Sequence, residues 1–285
     1  MSQIDLHAHS TASDGTYTPF ELVRHAKNKG LKAIALTDHD TTDGLAQAME
    51  AGKDLDIEVI PGCELSVEYP GLMHIIGLWV TPDAPVLSSA LRELRAKRNN
   101  RNNIMISKLQ ETGVDISFEE VKQLAGDAAM GRPHISRVLM NKGIISNIQE
   151  AFDKYIGPGG AAYVPKEKFS PEKAIAMLKN EQATVILAHP FSLKLSPEGL
   201  RKELLNLKEM GLDGMEVFYP EHFAEQTRTY LKICQELDLL PSGGSDFHGS
   251  IKPDISLGKG KGKLNMPYSI VQDMKNKRME QGLWT

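Results

Sequence analysis

Six of the nine histidines in this 285-residue chain stand in short clusters with carboxylates, once His74 is counted, a pattern suited to holding divalent metal ions. His7 and His9 lie two apart at the end of a predicted first strand. Side chains alternate along a strand, so both project to one side, where two imidazoles can share an ion. Asp14 follows in a polar loop, Thr37-Asp38-His39-Asp40 ends the second strand, and Gly62-Cys63-Glu64 ends the third. His189-Pro190 ends a later strand, and Ser245-Asp246-Phe247-His248 ends the last, with Asp246 and His248 again two apart. The C-terminal ends of strands are where α/β barrels and open α/β sheets place their sites. Imidazole and carboxylate without thiolate suit Zn²⁺, Mn²⁺ or Fe²⁺ and argue against a cysteine-type structural zinc site. His7, His9, Asp14, His39, Glu64, His74, His189, Asp246 and His248 are too many donors for one ion, so at least two ions and hydrolytic chemistry are expected.

Strands must end side by side to bring such donors together. Apolar runs at Ile4–His9, Ala33–Thr37, Glu58–Ile60, His74–Val80, Thr184–Ala188, Gly214–Phe218 and Leu239–Ser242 read as strands. Helical patterns near Pro19–Lys29, Asp43–Gly52, Pro171–Glu181, Pro197–Met210 and Phe223–Leu237 alternate with them, which predicts a parallel sheet or barrel. Between Leu87 and Gly157 the strand signal gives way to helical patterns over Leu87–Thr112, Phe118–Ala125, Pro133–Asn141 and Ile148–Tyr155. The expected organisation is therefore a first barrel segment over residues 1–86, a helical insertion over 87–160 and a second barrel segment with tail over 161–285. Gly157-Pro158-Gly159-Gly160 returns the chain to the sheet, and Gly258-Lys259-Gly260-Lys261-Gly262-Lys263 reads as a mobile loop.

Composition narrows the class. With 41% hydrophobic and 25% charged residues, the chain is neither disordered nor fibrous, and a net charge of −4 gives no reason to expect non-specific nucleic-acid or membrane binding. Cys63 and Cys234 are too few for a disulfide framework. The opening Met1-Ser2-Gln3 is no basic, apolar leader, and no run approaches the ~18 apolar residues of a membrane span, so a cytoplasmic location is expected.

Four motifs, Asp5-Leu6-His7-Ala8-His9, Thr37-Asp38-His39-Asp40, Ala188-His189-Pro190 and Gly244-Ser245-Asp246-Phe247-His248, resemble those of the PHP (polymerase and histidinol phosphatase) metal-dependent phosphoesterases. The likeness covers the barrel portion, with Glu64 and His74 in the intervening ligand positions. It promotes His74, which otherwise reads as a core residue of the apolar run Leu72–Val80. The resemblance implies an α/β fold, a distorted (β/α)7 barrel of PHP type with a helical insertion domain. It implies one metal held by His7, His9, Glu64 and Asp246, a second by Glu64, His74 and His189, and a third by Asp14, His39 and His248. Two or three divalent ions are expected, manganese first, with zinc or iron as alternatives.

Within that family, Gly131-Arg132-Pro133-His134-Ile135-Ser136-Arg137 followed by Ala162-Tyr163-Val164-Pro165 is similar to members acting on nucleotides. These hydrolyse the 3′-phosphate of nucleoside 3′,5′-bisphosphates or trim short RNA from its 5′ end. Arg132 would grip a second phosphate bidentately and His134 would add a hydrogen bond, with substrate between barrel and insertion. The implied mechanism is in-line attack on phosphorus by a metal-bound hydroxide. His222 and Asp40 are the candidate leaving-group proton donors. The expected partner is a small phosphorylated nucleotide or short RNA, with no membrane and no DNA duplex.

Other readings stand beside these. A phosphomonoesterase for another metabolite such as histidinol phosphate, or a metal-stabilised nucleotide-binding regulatory module, would use the same ligands. C–N hydrolysis of amidohydrolase type would normally show a bridging lysine where Glu64 stands. Asp38 or Asp40 is expected to orient an imidazole, while His25 reads as structural. Arg92, Arg95, Lys97, Arg98, Arg101 and Lys108 form either a basic face for RNA or a solvated helix face. Phe191, Phe218 and Tyr219 serve either as base-stacking rings or as lid packing.

Overall fold

Three helices share one start signal, a hydroxyl side chain followed by proline: Thr18-Pro19, Ser170-Pro171 and Ser196-Pro197. In each the Thr or Ser oxygen accepts a backbone N–H of the first turn, while proline fills a position whose N–H would go unbonded. The computed structural model describes residues 3–125, 130–165 and 167–285. The side chains of Arg98 and Asn99 are not among those described, so Arg98 of the expected basic face lies outside the described residues.

The chain forms two compact units, residues Met1–Ser89 with Lys168–Thr285, and Ala90–Glu167. In the first, β1 (Ile4–Asp5), α1 (Pro19–Asn28), β2 (Ala33–Leu36), α2 (Leu45–Leu55), β3 (Glu58–Val67) and β4 (Met73–Leu78) lead to α3 (Pro85–Glu111). The second unit continues α3 and adds α4 (Phe118–Ala125), α5 (Arg132–Asn141), α6 (Ile148–Ala151) and a π-helical turn at Phe152–Ile156. Met105, Leu109, Val121, Ile135, Leu139 and Ile156 belong to a separate core there. The first unit then resumes with α7 (Pro171–Asn180), β5 (Thr184–Leu187), α8 (Pro197–Met210), β6 (Gly214–Phe218), α9 (Ala224–Glu236), β7 (Leu240–Gly243) and α10 (Ser269–Glu280).

Among the described residues seven strands lie in sequence order in one sheet, the distorted (β/α)7 architecture expected. A wholly parallel sheet is not what forms: β4 runs antiparallel to both β3 and β5. The cause is chain length. Parallel neighbours need a crossover of a dozen or more residues, and only Glu68 to Leu72 join β3 to β4, so the pair closes as a hairpin. The sheet curls until its ends meet. Leu6 N–H donates to the Gly243 carbonyl at 3.1 Å, Asp246 N–H to that of His7 at 2.9 Å, and His9 N–H to that of Phe247 at 2.9 Å.

Ile4, Leu6, Ile60, Ile76, Leu78 and Ile186 fill the core with Val271 and Met274 of α10. Arg278 of α10 is buried beside it, donating to the Gln182 and Trp284 carbonyls and to Thr184 Oγ1, with its guanidinium near the Trp79 and Trp284 rings. The glycine-lysine segment, expected as a mobile loop, is a pinned turn. Gly258 N–H donates to the buried Asp5 carboxylate at 2.7 Å, and Gly260 N–H donates to the Ser256 carbonyl at 2.7 Å. Among the described residues no helix is long and apolar enough to cross a membrane.

Closure requires one glycine. A Cβ on Gly244 would stand 2.2 Å from His7 Cβ and 2.4 Å from His7 N, inside any real contact distance. Gly244→Ala is expected to destabilise the protein by about 3 kcal/mol, since the clash is with backbone that cannot yield. It should also reduce bound metal, because His7 moves with that backbone. Denaturant midpoints and metal content check both effects, and a variant as stable as the parent would contradict the packing argument.

Candidate metal centre

β1 ends at Asp5, so His7 and His9 stand just beyond it rather than within the strand. Backbone bonds still hold them in extended alternation: the Ala8 carbonyl accepts Thr37 N–H at 2.9 Å on one side, while His7 and His9 bond the β7 side. Glu64 lies in the body of β3, its N–H donating to the Asp38 carbonyl and its carbonyl accepting Asp40 N–H. His74 is two residues into β4, where it pairs with Ser66.

The structure brings all nine expected donors into one cluster with Glu64 at its centre. Glu64 Oε2 is 3.2 Å from His7 Nε2, 3.3 Å from His9 Nε2 and 3.0 Å from His39 Nδ1. Glu64 Oε1 is 2.9 Å from His74 Nδ1 and 3.1 Å from His189 Nε2. Asp246 Oδ1 lies 3.3 Å from His9 Nε2 and 3.4 Å from His248 Nδ1, while Asp14 Oδ1 lies 3.4 Å from His248 Nε2. Among the described residues three groups have ligand atoms all within 4.8 Å of one another: His9, Asp14, His39 and His248; His7, His9 and Asp246; and His39, Glu64 and His74.

The donors fit divalent ions on their own geometry. Glu64 Oε2, His9 Nδ1 and His39 Nδ1 are buried with no hydrogen-bond partner among the described residues, although other donors crowd them. The Nε2 atoms of His7 and His9 face each other at 3.1 Å. A cation relieves such a convergence of lone pairs at low solvent exposure.

The same crowding sets the charges. Burial would raise the Glu64 carboxyl, but His39, His7 and His74 hold it well below the usual range. Asp246 is likewise held low by His7 and His9 against its burial. Burial draws the His9 imidazole down, yet the Asp246 and Glu64 carboxylates beside it carry it up to about 9. His74 goes the other way: burial outweighs its bond to Glu64 and takes it down to about 4.

Outer contacts aim the donors. His7 Nδ1–H donates to Glu216 Oε1 at 2.9 Å, which leaves Nε2 facing the centre, and Glu216 Oε2 accepts His189 N–H at 2.7 Å. Asp5 accepts both the N–H and the hydroxyl of Ser245, fixing the residue before Asp246. Asp38, one of the two carboxylates considered for orienting an imidazole, accepts Ser10 N–H and the hydroxyls of Ser10 and Ser13, fixing the loop that carries Asp14. Tyr219 donates to Asp246 Oδ2 at 2.7 Å, its phenol held protonated by burial and by the Asp246 charge. Glu216 escaped the sequence reading, although a lone carboxylate inside the apolar strand Gly214–Phe218 was a legible signal.

A cleft of about 180 Å³ opens on this centre, lined by His39, Glu64, His74, His189, Tyr219 and Asp246 with Leu72, Phe191, Ser192 and Lys252. The two expected proton donors are not among the described residues lining it. His222 packs against the Phe191, Tyr219 and Tyr230 rings and donates its Nδ1–H to the Val217 carbonyl at 2.9 Å, with burial lowering its basicity. Asp40 is buried and accepts Ser66 N–H at 2.9 Å. In the second unit Arg132 opens α5 with its guanidinium over the Phe152 ring at 5.1 Å, and His134 Nδ1 accepts Gly131 N–H at 3.1 Å.

Comparison with known proteins places this arrangement. The PHP domain family model matches residues 5–181. A 5′-3′ exoribonuclease from Haemophilus influenzae is 36% identical over 245 residues, 86% of this chain and 89% of that protein. A 3′,5′-nucleoside bisphosphate phosphatase from Chromobacterium violaceum is 31% identical over 250 residues, 87% and 88% of the two chains. Among solved structures, one described as an amidohydrolase from Chromobacterium violaceum, with bound sulfate and no metal, matches with a TM-score of 0.77 and 28% identity over 96% of this chain and 97% of that one.

Two outcomes follow from the geometry. Glu216→Gln replaces one of two accepting oxygens with a donor, so divalent-metal affinity should fall about 10–100-fold, as measured by chelator competition, with the fold intact by circular dichroism. His9, protonated below about 9 in the metal-free protein, must lose its proton to act as a ligand. Metal binding at neutral pH should therefore release protons and tighten as pH rises toward that value. Calorimetry in buffers of different ionisation enthalpy reads the release, and zero proton exchange would contradict the assignment.

Proposed function

The chain belongs to the PHP domain family, and we propose that this metal-dependent phosphoesterase hydrolyses the 3′-phosphate of nucleoside 3′,5′-bisphosphates, trims short 5′-phosphorylated RNA, or does both. The observation that carries the reading is the buried imidazole–carboxylate cluster converging on Glu64, open to a cleft of about 180 Å³. That volume is below the roughly 300–1,000 Å³ of pockets that engulf a drug-sized ligand, so the cleft takes the phosphoryl end of a substrate and leaves the rest outside. The names of the relatives support a nucleotide or RNA as that rest.

Three ion positions are assigned on the donors: His7, His9, Glu64 and Asp246; Glu64, His74 and His189; and Asp14, His39 and His248. Divalent ions bound there supply a nucleophile at neutral pH and neutralise phosphoryl charge. Manganese suits this oxygen- and imidazole-rich set, with zinc or iron as alternatives. Glu216 keeps His7 Nε2 directed inward, and Tyr219 keeps the Asp246 carboxylate in one orientation. The contacts of His222 and Asp40 suit positioning roles: His222 braces the Phe191–Tyr219 wall and Asp40 fixes the backbone of β3. Arg132 and His134 are assigned to the second phosphate. The guanidinium presents paired donors at a helix start, and His134, accepting at Nδ1, carries its proton on Nε2, ready to donate.

A C–N hydrolase reading, raised by the description of one structural neighbour, is less well served: Glu64 stands where that chemistry takes a bridging lysine. The test is turnover by the Mn²⁺-loaded protein. Phosphate release from adenosine 3′,5′-bisphosphate and nucleotide release from a 5′-phosphorylated short RNA should exceed turnover of histidinol phosphate by at least about tenfold in kcat/KM, the selectivity that one charge-assisted contact gives. Arg132→Ala should lower kcat/KM for the bisphosphate by about 10–100-fold while leaving metal content unchanged. Preference for histidinol phosphate would overturn the substrate assignment, and a neutral Arg132→Ala would overturn the role of Arg132.

A further inference from the structure

One cleft residue has a charge that holding metal does not explain. Among the described residues lining the cleft, Lys252 is the one lysine or arginine, and the rest are imidazoles, carboxylates, hydroxyls and apolar groups. Its Nζ lies 2.6 Å from Asp246 Oδ2, on the side of the carboxylate turned away from His9 and His248, which approach Oδ1. Oδ2 already accepts the Tyr219 hydroxyl at 2.7 Å, so Asp246 is oriented without the lysine. An ammonium so close to a metal-ligating carboxylate competes with the cation for the same negative charge. A neutral donor would serve the metal better, and Tyr219 is that donor.

The side chain is also placed to meet a ligand. It is 39% exposed, while its Asp246 partner is 9% exposed. Of its three N–H donors, one suffices for Asp246, leaving two for oxygens in the cleft. The backbone beneath it is held on both sides. Lys252 N–H donates to the Gly249 carbonyl at 3.3 Å, and the Lys252 carbonyl accepts Ile255 N–H at 3.0 Å. Gly249 supports this turn with φ +69°, a left-handed conformation in which a Cβ would also stand 2.0 Å from Thr16 Oγ1.

We propose that Lys252 is a substrate-contacting residue that grips an oxygen of the phosphoryl group being hydrolysed, from beside Asp246 Oδ2. The assignment rests on the phosphoesterase reading and adds a residue to it. A phosphoryl group entering the cleft brings anionic oxygens that need positive charge or N–H donors on two sides: the divalent ions that the cluster would hold on one, the ammonium on the other. Lys252 keeps its bond to Asp246 in that arrangement, so the ligand gains an anchor whose position is fixed by the same carboxylate that faces the histidines.

Inorganic phosphate is the probe, titrated into the Mn²⁺-loaded protein and followed by calorimetry, with metal content measured in parallel. Lys252→Met should weaken phosphate binding at least about tenfold, with metal content equal to or above that of the parent, and Lys252→Arg should recover most of the loss. Phosphoester turnover of Lys252→Met should show a raised KM and a lowered kcat/KM. Unchanged phosphate affinity in Lys252→Met, or loss of metal in parallel with loss of phosphate, overturns the proposal. The readout separates the two readings because phosphate binding needs no turnover. A parent protein that hydrolyses no phosphoester overturns the functional reading, whereas an active parent whose Lys252→Met variant binds phosphate normally overturns Lys252 alone.

Discussion

The burial of the Glu64 carboxylate among imidazoles is the constraint around which the first unit is organised. Its two oxygens stand within 3.3 Å of five histidines contributed by four separate stretches of chain. A buried carboxylate is costly unless charge and hydrogen bonds compensate it, and buried imidazoles in turn need a negative partner or a cation. Neither set is stable in the interior without the other. The strands that carry them must therefore end together, and the electrostatics of the cluster becomes a condition on the fold.

That condition is met by backbone geometry. The bonds linking Leu6, His7 and His9 to the end of β7 bring the first motif against the last, and Gly244 permits an approach that a side chain would block. Around the donors runs a ring of buried or half-buried polar groups with defined partners. Glu216 serves His7 and His189, Asp5 serves Ser245 and Gly258, and Asp38 serves Ser10 and Ser13. Glu216 holds two of the clustered histidines directly and the other two hold residues next to cluster members, which limits the ways those side chains can turn away. Asp5 reaches furthest in sequence, since it ties the glycine-lysine turn to the strand that precedes His7. A segment that composition marks as loose is thereby made part of the frame.

The second unit has a helical core of its own, with Arg132 and His134 at the start of one helix. The clustered donors and the Arg132–His134 pair thus rest on different kinds of support. The clustered imidazoles and carboxylates sit within strands or on the segments just beyond them, where backbone bonding is dense, and the groups proposed for the second phosphate sit at a helix N-terminus, where unbonded N–H groups favour an anion. Lys252 is carried by a short, backbone-bonded turn directly after Asp246 and His248.

Much of this was legible in the amino-acid sequence. His7 and His9, or Asp246 and His248, announce themselves by type and spacing, and the alternation of apolar runs with helical patterns specifies strands, helices and a helical insertion. These are local properties, set by side-chain chemistry and backbone periodicity within a few residues. The direction of β4, the pairing of residues 6–9 with the end of β7, the clamp of Glu216 on His7 and the meeting of Lys252 with Asp246 are of another kind. Each joins segments through space, and its outcome depends on loop length, sheet curl and close backbone approach summed over the whole first unit. Residue types determined by themselves which chemistry was available, and the tertiary structure decided which atoms face one another, because only strand closure sets distances between groups far apart in the chain.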